Sequence, residues 1–201
     1  MTYMKRTIRT AELEAPLPYH FLTSLVVPRP IAWVGSRAED GTRNLAPFSF
    51  FNVVSSDPPM VMFCPVGHPL VRKDTLANVR ETGEFTVSLV TEAVAPLMNV
   101  TSGTFHAGED EFAEAGLTPI NGSFVNAPFV GESPVALECV VRDIHEVGNG
   151  RIVVGEVVAF HIDDSLFDGD RIQSSVIGVV ARMGGREYAR TDDPFSMVRP
   201  D

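Results

Sequence analysis

Long stretches of the chain alternate between apolar and polar residues with a period of two, which is typical of β-strands. The clearest case is a pair of segments, 135–147 and 151–162, that flank Gly148-Asn149-Gly150 and predict a long β-hairpin. In the second arm of this hairpin the apolar side chains share one face, with Glu156 as the exception. They are Ile152, Val154, Val158, Phe160 and Ile162.

Shorter segments predict four more strands, at 31–37, 45–54, 60–64 and 84–90, and the apolar run at 60–64 is typical of a buried strand. The first two flank the turn signal Asp40-Gly41 and therefore predict a second hairpin. Helix signals are fewer. Asp74 can cap a helix that runs to Thr82, while residues 92–99 and 110–115 predict helices of one to two turns.

Strands at short spacing, with helices in the gaps, favour a mainly β protein over a doubly wound sheet. We therefore expect an antiparallel β-barrel with helical insertions. A helix between two strands can also belong to a βαβ unit, so the pattern alone leaves that second architecture open.

The composition narrows the classes of partner. The chain has 201 residues, enough for one domain, and its 16 basic and 26 acidic residues give a net charge of −10. Nucleic acids and anionic membrane surfaces attract proteins with a positive field, so we expect neither as a partner. The two cysteines lack metal-ligand spacing and the N-terminus lacks an apolar signal segment, which predicts no metal site and a cytoplasmic location.

A local concentration of positive charge stands out against this acidic background. Arg72-Lys73-Asp74-Thr75 combines a guanidinium, an ammonium, a helix start and a hydroxyl in four residues, and Lys73 is the only lysine apart from Lys5. A phosphate group needs such donors, so the segment predicts an anion site. The alternative is an ordinary solvated helix N-terminus. Because a carboxylate repels a phosphate, we expect Asp74 to cap its own helix and point away from the ligand.

The segment before it can accommodate a flat ring. Asn44, Ala46, Pro47 and Ser49 offer polar groups and small side chains along one predicted strand. A proline in a strand indicates an edge or a bulge, where a ligand can approach. The alternative is a plain core strand, whose buried side chains would be Phe48, Phe50 and Phe51. A ring site next to an anion site is what flavin mononucleotide (FMN) requires.

Eight segments of the chain, taken together, allow it to be compared with a known protein family. In chain order they are PRPIAWVGS, NLAPFSFFNVVSSDPP, RKDTLANVRETGEFTVSLV, MNVTS, DEFAEAGLTP, ESPVALEC, GEVVAFHIDD and VARMGG. With them the chain resembles the flavin reductase-like family of FMN-binding split barrels, in particular its flavoredoxin and NADH:FMN oxidoreductase subgroup.

The resemblance implies an antiparallel split barrel of Greek-key type that forms a homodimer, with FMN in a groove near the subunit interface. It implies one domain over residues 1–201, with residues 1–15 as an N-terminal extension. The ring and ribityl chain of FMN would lie along Asn44, Ala46, Pro47 and Ser49. The phosphate would be held by Ser55, Ser56, Arg72, Lys73 and Thr75. Arg29, Asn99 and Tyr188 are further candidate FMN ligands.

The resemblance also implies a reaction. NADH or NADPH would deliver a hydride to the flavin, which carries the chemistry, so no catalytic side chain is predicted. The reduced flavin would serve a monooxygenase or another electron-acceptor protein. Two alternatives stay open at this point: an FMN-binding electron carrier without a nicotinamide site, and a split barrel that has lost the flavin.

Overall fold

A large antiparallel sheet organises the protein. The computed structural model describes residues 4–67, 74–106 and 108–200. The strands in this part of the chain are β1 (Ala32–Arg37), β2 (Arg43–Phe48), β3 (Phe51–Ser56), β4 (Pro59–Phe63), β5 (Glu84–Ser88), β6 (Pro119–Asn121), β7 (Pro128–Val130), β8 (Val135–Val147), β9 (Gly150–Ile162), β10 (Phe167–Asp168), β11 (Arg171–Ile172), β12 (Val180–Arg182) and β13 (Tyr188–Arg190). The α-helices are α1 (Leu17–Leu25), α2 (Asp74–Thr82), α3 (Ala95–Val100) and α4 (Glu111–Glu114), and short 3₁₀ turns cover Thr10–Glu12, Asp164–Leu166 and Ser174–Val176.

Seven of the strands form one sheet in the order β2-β1-β5-β8-β9-β4-β3. Every neighbouring pair in it is antiparallel. The two edge strands, β2 and β3, are consecutive in the chain and are joined by Ser49 and Phe50. The chain thus passes from one edge of the sheet to the other, as a split barrel requires. The predicted mainly β, antiparallel fold is confirmed.

The long hairpin is confirmed as β8 and β9, which pair from Val135↔Ile162 to Val147↔Gly150. Gly148, at the turn, has a φ of 58°, a conformation that glycine adopts without strain.

One of the predicted strands proved to be two. Residues 45–54 were expected to form a single strand, but the chain breaks after Phe48 and resumes at Phe51. The crossing between the two sheet edges needs this break, and no local pattern indicates it. The first helix, α1, was not predicted. Most of its apolar side chains are exposed, and of its residues only Thr23 is buried. α2 has the predicted bounds.

β1 separates two buried clusters. Trp33 belongs to a cluster with Leu45 and Phe112, while Val34 belongs to a second cluster with Phe85 and others. Because both faces of β1 are buried, its first three residues, Ala32, Trp33 and Val34, are all apolar and do not alternate with polar ones. The first cluster supports α3 and α4, and these two helices flank the site described below.

Within residues 4–67, 74–106 and 108–200, none of the helices combines the length and the apolar character that crossing a membrane would require.

Candidate functional site

A cleft of about 270 Å³ opens where β2 meets the start of α2 and the loop between α3 and α4. Its lining residues are Asn44, Ala46, Pro47, Phe48, Asp74, Thr75, Thr101, Ser102, Gly103, Thr104, Phe105 and Glu111. A smaller recess of about 150 Å³ adjoins it and shares Asn44 and Asp74. Four of the predicted site residues therefore come together here: Asn44, Ala46, Pro47 and Thr75.

β2 forms one wall of the cleft because it is an edge strand, as Pro47 indicated. The Asn44 amide donates a hydrogen bond of 2.9 Å to the Thr75 hydroxyl, and both side chains are buried. This bond ties the ring-lining strand to the first turn of α2. Phe48 is also buried and lies 5.0 Å from the ring of Phe63. Of the three phenylalanines expected in the core if this were a plain core strand, Phe48 is buried, while Phe50 and Phe51 are half-buried.

The opposite wall is the loop 101–105, which the sequence reasoning missed. Its first residue is fixed twice: Trp33 donates its indole N–H to the Thr101 hydroxyl at 2.9 Å, and that hydroxyl donates to the Met98 carbonyl at 2.9 Å. Ser102 donates to the Asn99 carbonyl at 2.6 Å. Asn99 thus supports the loop from outside the cleft. The available signal was the run TSGT, rich in hydroxyl groups and glycine, between two short helices.

The only charged side chains among the described lining residues are acidic, Asp74 and Glu111. Since Asp74 lines both the cleft and the recess, the expectation that it points away from the ligand site is not supported. Glu111 is buried and accepts the Leu45 N–H at 3.0 Å. Burial raises the pKa of Glu111, and the nearby Asp74 and Asp110 raise it further. Hydrogen bonds from its own backbone N–H and from the backbone N–H of Leu45 act in the opposite direction.

In the described part of the chain, the basic side chain next to the cleft already forms an ion pair with a carboxylate. Arg43 lines the recess, but its guanidinium bonds the Asp110 carboxylate at 2.6 and 2.8 Å. Arg72 and Lys73, the predicted phosphate ligands, lie within 68–73, outside the described residues. In sequence they directly precede Asp74, which lines the cleft.

The remaining predicted residues lie elsewhere. Ser55 and Ser56 end β3 at the tip of the β3–β4 hairpin and do not line the cleft within this chain. Arg29, Ser49 and Tyr188 also lie outside its lining residues.

Arg29 is buried and makes several contacts. It donates to the carbonyls of Thr23 at 2.6 Å, Val26 at 2.7 Å and Met183 at 3.0 Å, and its Nε lies 3.5 Å from the Ser49 hydroxyl. Burial lowers the pKa of Arg29, and the neighbouring Arg182 lowers it further. Arg29 therefore joins the end of α1 to the end of β2.

Glu111→Gln should change how stability depends on pH. A raised pKa in the folded state means that Glu111 stabilises most below its unfolded pKa of about 4.3, and that this contribution declines as the pH rises through the folded pKa. Glutamine does not titrate and keeps an oxygen for Leu45 N–H. We expect urea unfolding to show E111Q gaining stability over the wild type as pH increases, by about 1.4 kcal/mol for each unit of pKa shift.

Glu114, which is exposed on the same short helix, provides the control. E114Q should follow the wild-type pH profile. Parallel profiles for E111Q and the wild type would show that the Glu111 carboxyl has no raised pKa.

The described cleft suits the ring and ribityl parts of FMN. Ala46, Pro47 and Phe105 present an apolar edge, while Asn44, Thr75 and Thr104 bring amide and hydroxyl groups. The phosphate of FMN is dianionic and would face Asp74 and Glu111. Binding the phosphate here therefore requires cations other than the described lining residues. Arg72 and Lys73 are the basic residues nearest in sequence to the lining residue Asp74.

The chain is similar to several known proteins. A family model described as flavin reductase like domain matches residues 24–174. An uncharacterised protein of Deinococcus radiodurans is 40% identical over 193 residues, which cover 90% of this chain and 84% of that protein.

Two solved structures are similar over almost their whole length. Nitrilotriacetate monooxygenase component B from Bacillus cereus is 30% identical with a TM-score of 0.94, covering 98% of this chain and 100% of that one. The 2-nitrobenzoate 2-nitroreductase of Pseudomonas fluorescens is 30% identical with a TM-score of 0.89, covering 97% and 96%.

Proposed function

Because this chain belongs to the flavin reductase-like family, we propose that it is an FMN-binding oxidoreductase in which NADH or NADPH reduces the flavin. The observation that carries the proposal is the cleft between β2 and the loop 101–105. There, the buried Asn44–Thr75 hydrogen bond joins the proposed ring-binding strand to the helix start proposed for the phosphate.

Bound FMN would supply the redox chemistry by accepting a hydride from the nicotinamide. The chain itself has three tasks. It holds the ring against the edge formed by Ala46 and Pro47, it offers hydrogen bonds from Asn44 and Thr75, and it limits the access of water through the loop 101–105. None of these tasks needs a side-chain acid or base.

The names of the two similar structures support a redox role with a downstream acceptor. One is a component of a monooxygenase and the other a nitroreductase. We propose that the reduced flavin in this protein serves a monooxygenase or another electron-acceptor protein.

The test is the visible spectrum of the purified protein loaded with FMN, recorded before and after NADH or NADPH is added without oxygen. We expect the flavin absorbance to bleach with at least one of the two nucleotides. Flavin that neither nucleotide reduces, but that a reduced electron-transfer protein does reduce, would contradict the reductase proposal and favour an electron carrier. A protein that takes up no FMN would contradict both.

We also propose that the protein is a homodimer. The edge strand β3 exposes Val53 by 67% and Val54 by 50%, and β9 exposes Phe160 by 57%. Exposed apolar side chains on regular strands are what a second copy would cover. Sedimentation analysis should give twice the mass of one chain, and a single-chain mass would contradict the proposal.

The remaining parts of the proposal concern organisation and location. We propose that residues 1–201 act as one domain with residues 1–15 as an extension, and that the protein works in the cytoplasm. Both cysteines, Cys64 and Cys139, are free thiols, which is consistent with a reducing compartment. Limited proteolysis that cuts the chain into two stable parts would contradict the single domain. Fractionation that finds the protein outside the cytoplasm would contradict the location.

A further inference from the structure

Two arginines face each other across a short stretch of antiparallel backbone. Arg29 N–H donates to the Arg182 carbonyl at 3.0 Å, and Arg182 N–H donates to the Arg29 carbonyl at 2.8 Å. Residues paired in this way carry their side chains on the same face, a few ångströms apart. Like charges placed directly opposite each other are destabilising, so this arrangement needs a compensating partner.

No carboxylate of the described residues forms an ion pair with either of them. In contrast, Arg43, Arg142 and Arg190 each bond a carboxylate. Arg29 is only 7% exposed and contacts neutral carbonyls and a hydroxyl, which leave its charge uncancelled. An uncompensated buried cation is costly. In a chain with ten more acidic than basic residues, the absence of an acidic partner for Arg29 among the described residues is a distinct feature.

Arg182 still has donors to offer. Its guanidinium lies 4.6 Å from the centre of the Tyr188 ring, and one nitrogen donates to the Gly185 carbonyl at 2.6 Å. Its Nε and Nη1 have no partner among the described residues. A guanidinium fixed at one nitrogen and stacked on an aromatic ring is preorganised to bind a carboxylate or phosphate with its free edge.

The arginine pair lies near the end of β2 at Phe48, whereas the phosphate is proposed to bind near the other end, where Asn44 contacts Thr75. Arg29 Nε is 3.5 Å from the hydroxyl of Ser49, which directly follows the cleft-lining residues Pro47 and Phe48. Asn44, which bonds Thr75, lies four residues before the end of β2 at Phe48, or about 13 Å along the strand. An anion at the arginine pair is therefore a different group from a phosphate held near Thr75.

We propose that Arg182 and Arg29 form a second anion site, beside the cleft, which binds the phosphate or carboxylate group of a small anionic co-substrate. Arg182 makes the direct contact. Arg29 is a positioning residue: it adds positive potential and, through the Met183 carbonyl, holds the segment that carries Arg182. The inference rests on the proposed function only in that the bound molecule would react at the flavin.

The test is calorimetric titration of the FMN-loaded protein with two probes. ADP-ribose carries the pyrophosphate of a nicotinamide dinucleotide, and benzoate carries a carboxylate on a flat ring. Whichever probe the wild type binds identifies the source of the anion. We expect Arg182→Gln to raise the Kd for that probe about tenfold, the loss of one charge-assisted contact. Arg182→Lys, which keeps the charge without the fork, should fall between.

Arg171→Gln is the matched control, since Arg171 is exposed on β11 and forms no ion pair with the described residues. It should bind the probe like the wild type, and the Kd for FMN should be unchanged in all variants. The proposal is overturned if the wild type binds neither probe or if R182Q binds the probe as tightly as the wild type. It is also overturned if R171Q loses as much affinity for the probe as R182Q, or if R182Q loses as much affinity for FMN as for the probe. Repeating the titrations without FMN separates this outcome from a failure of the proposed function.

Discussion

Replacing Glu138 with alanine should lower the free energy of unfolding by about 3–5 kcal/mol, the range for breaking a buried charged network. Glu138 is fully buried, and its carboxylate accepts the N–H groups of Ser123, Phe124 and Val125 at 2.7–2.8 Å. His161 Nε2 lies 2.5 Å from the same carboxylate. Alanine would leave the N–H of the buried Val125 without an acceptor and would remove the shared acceptor of the more exposed Ser123, Phe124 and His161. Urea unfolding monitored by circular dichroism measures the loss.

The matched control is Glu132→Ala. Glu132 also accepts a backbone N–H, from Thr118 at 3.0 Å, but in an exposed position where water can replace the carboxylate. We expect E132A to cost less than about 1 kcal/mol. If E138A cost no more than E132A, the carboxylate would not hold the segment 123–125 in place.

The Glu138 network also has a defined pH dependence. Burial alone would raise the pKa of Glu138, but the bonds from His161 and the three N–H groups outweigh it and the pKa is lowered. For a carboxyl of this kind the contribution to stability is complete above the unfolded pKa of about 4.3 and is lost as the pH falls through the folded pKa. The wild type should therefore approach the stability of E138A under acidic conditions, whereas Glu111 acts in the opposite direction.

The sequence was sufficient where the deciding interactions are local. The turn at Gly148 and the alternation on both sides define the β8–β9 hairpin, and α2 runs from Asp74 to Thr82 as predicted. Pro47 indicated an edge or a bulge, because a residue without an N–H cannot pair on both sides, and its strand β2 is an edge strand.

The features that the sequence did not reveal depend on contacts between distant segments. The break at Ser49 and Phe50 exists because the chain must cross between two edges of a sheet. The loop 101–105 forms a wall of the cleft because Trp33, nearly 70 residues earlier, fixes Thr101. α1 was not predicted either, and its apolar side chains show little burial within this chain. These contacts have no local pattern from which they could be predicted.

Lys73→Ala should weaken FMN binding by about 1.5–3 kcal/mol, the scale of one charge-assisted hydrogen bond, and leave riboflavin binding nearly unchanged. The reason is the charge of the cleft. The charged residues in its described lining, Asp74 and Glu111, repel a phosphate. The nearby Arg43 already forms an ion pair with Asp110. We therefore propose that the counter-charge comes from Lys73, which is next to Asp74 in sequence. Fluorescence titration with the two flavins, which differ only by the phosphate, measures the difference.

Lys5, the only other lysine, provides a control of equal charge change, and Lys5→Ala should bind both flavins like the wild type. If K73A and K5A weakened FMN binding equally, the effect would come from the net charge of the protein and not from a contact with the phosphate. Equal loss of FMN and riboflavin in K73A would place Lys73 at the ring or in the fold. A loss confined to FMN and to K73A would instead locate the phosphate at the start of α2, near the opposite end of β2 from the arginine pair.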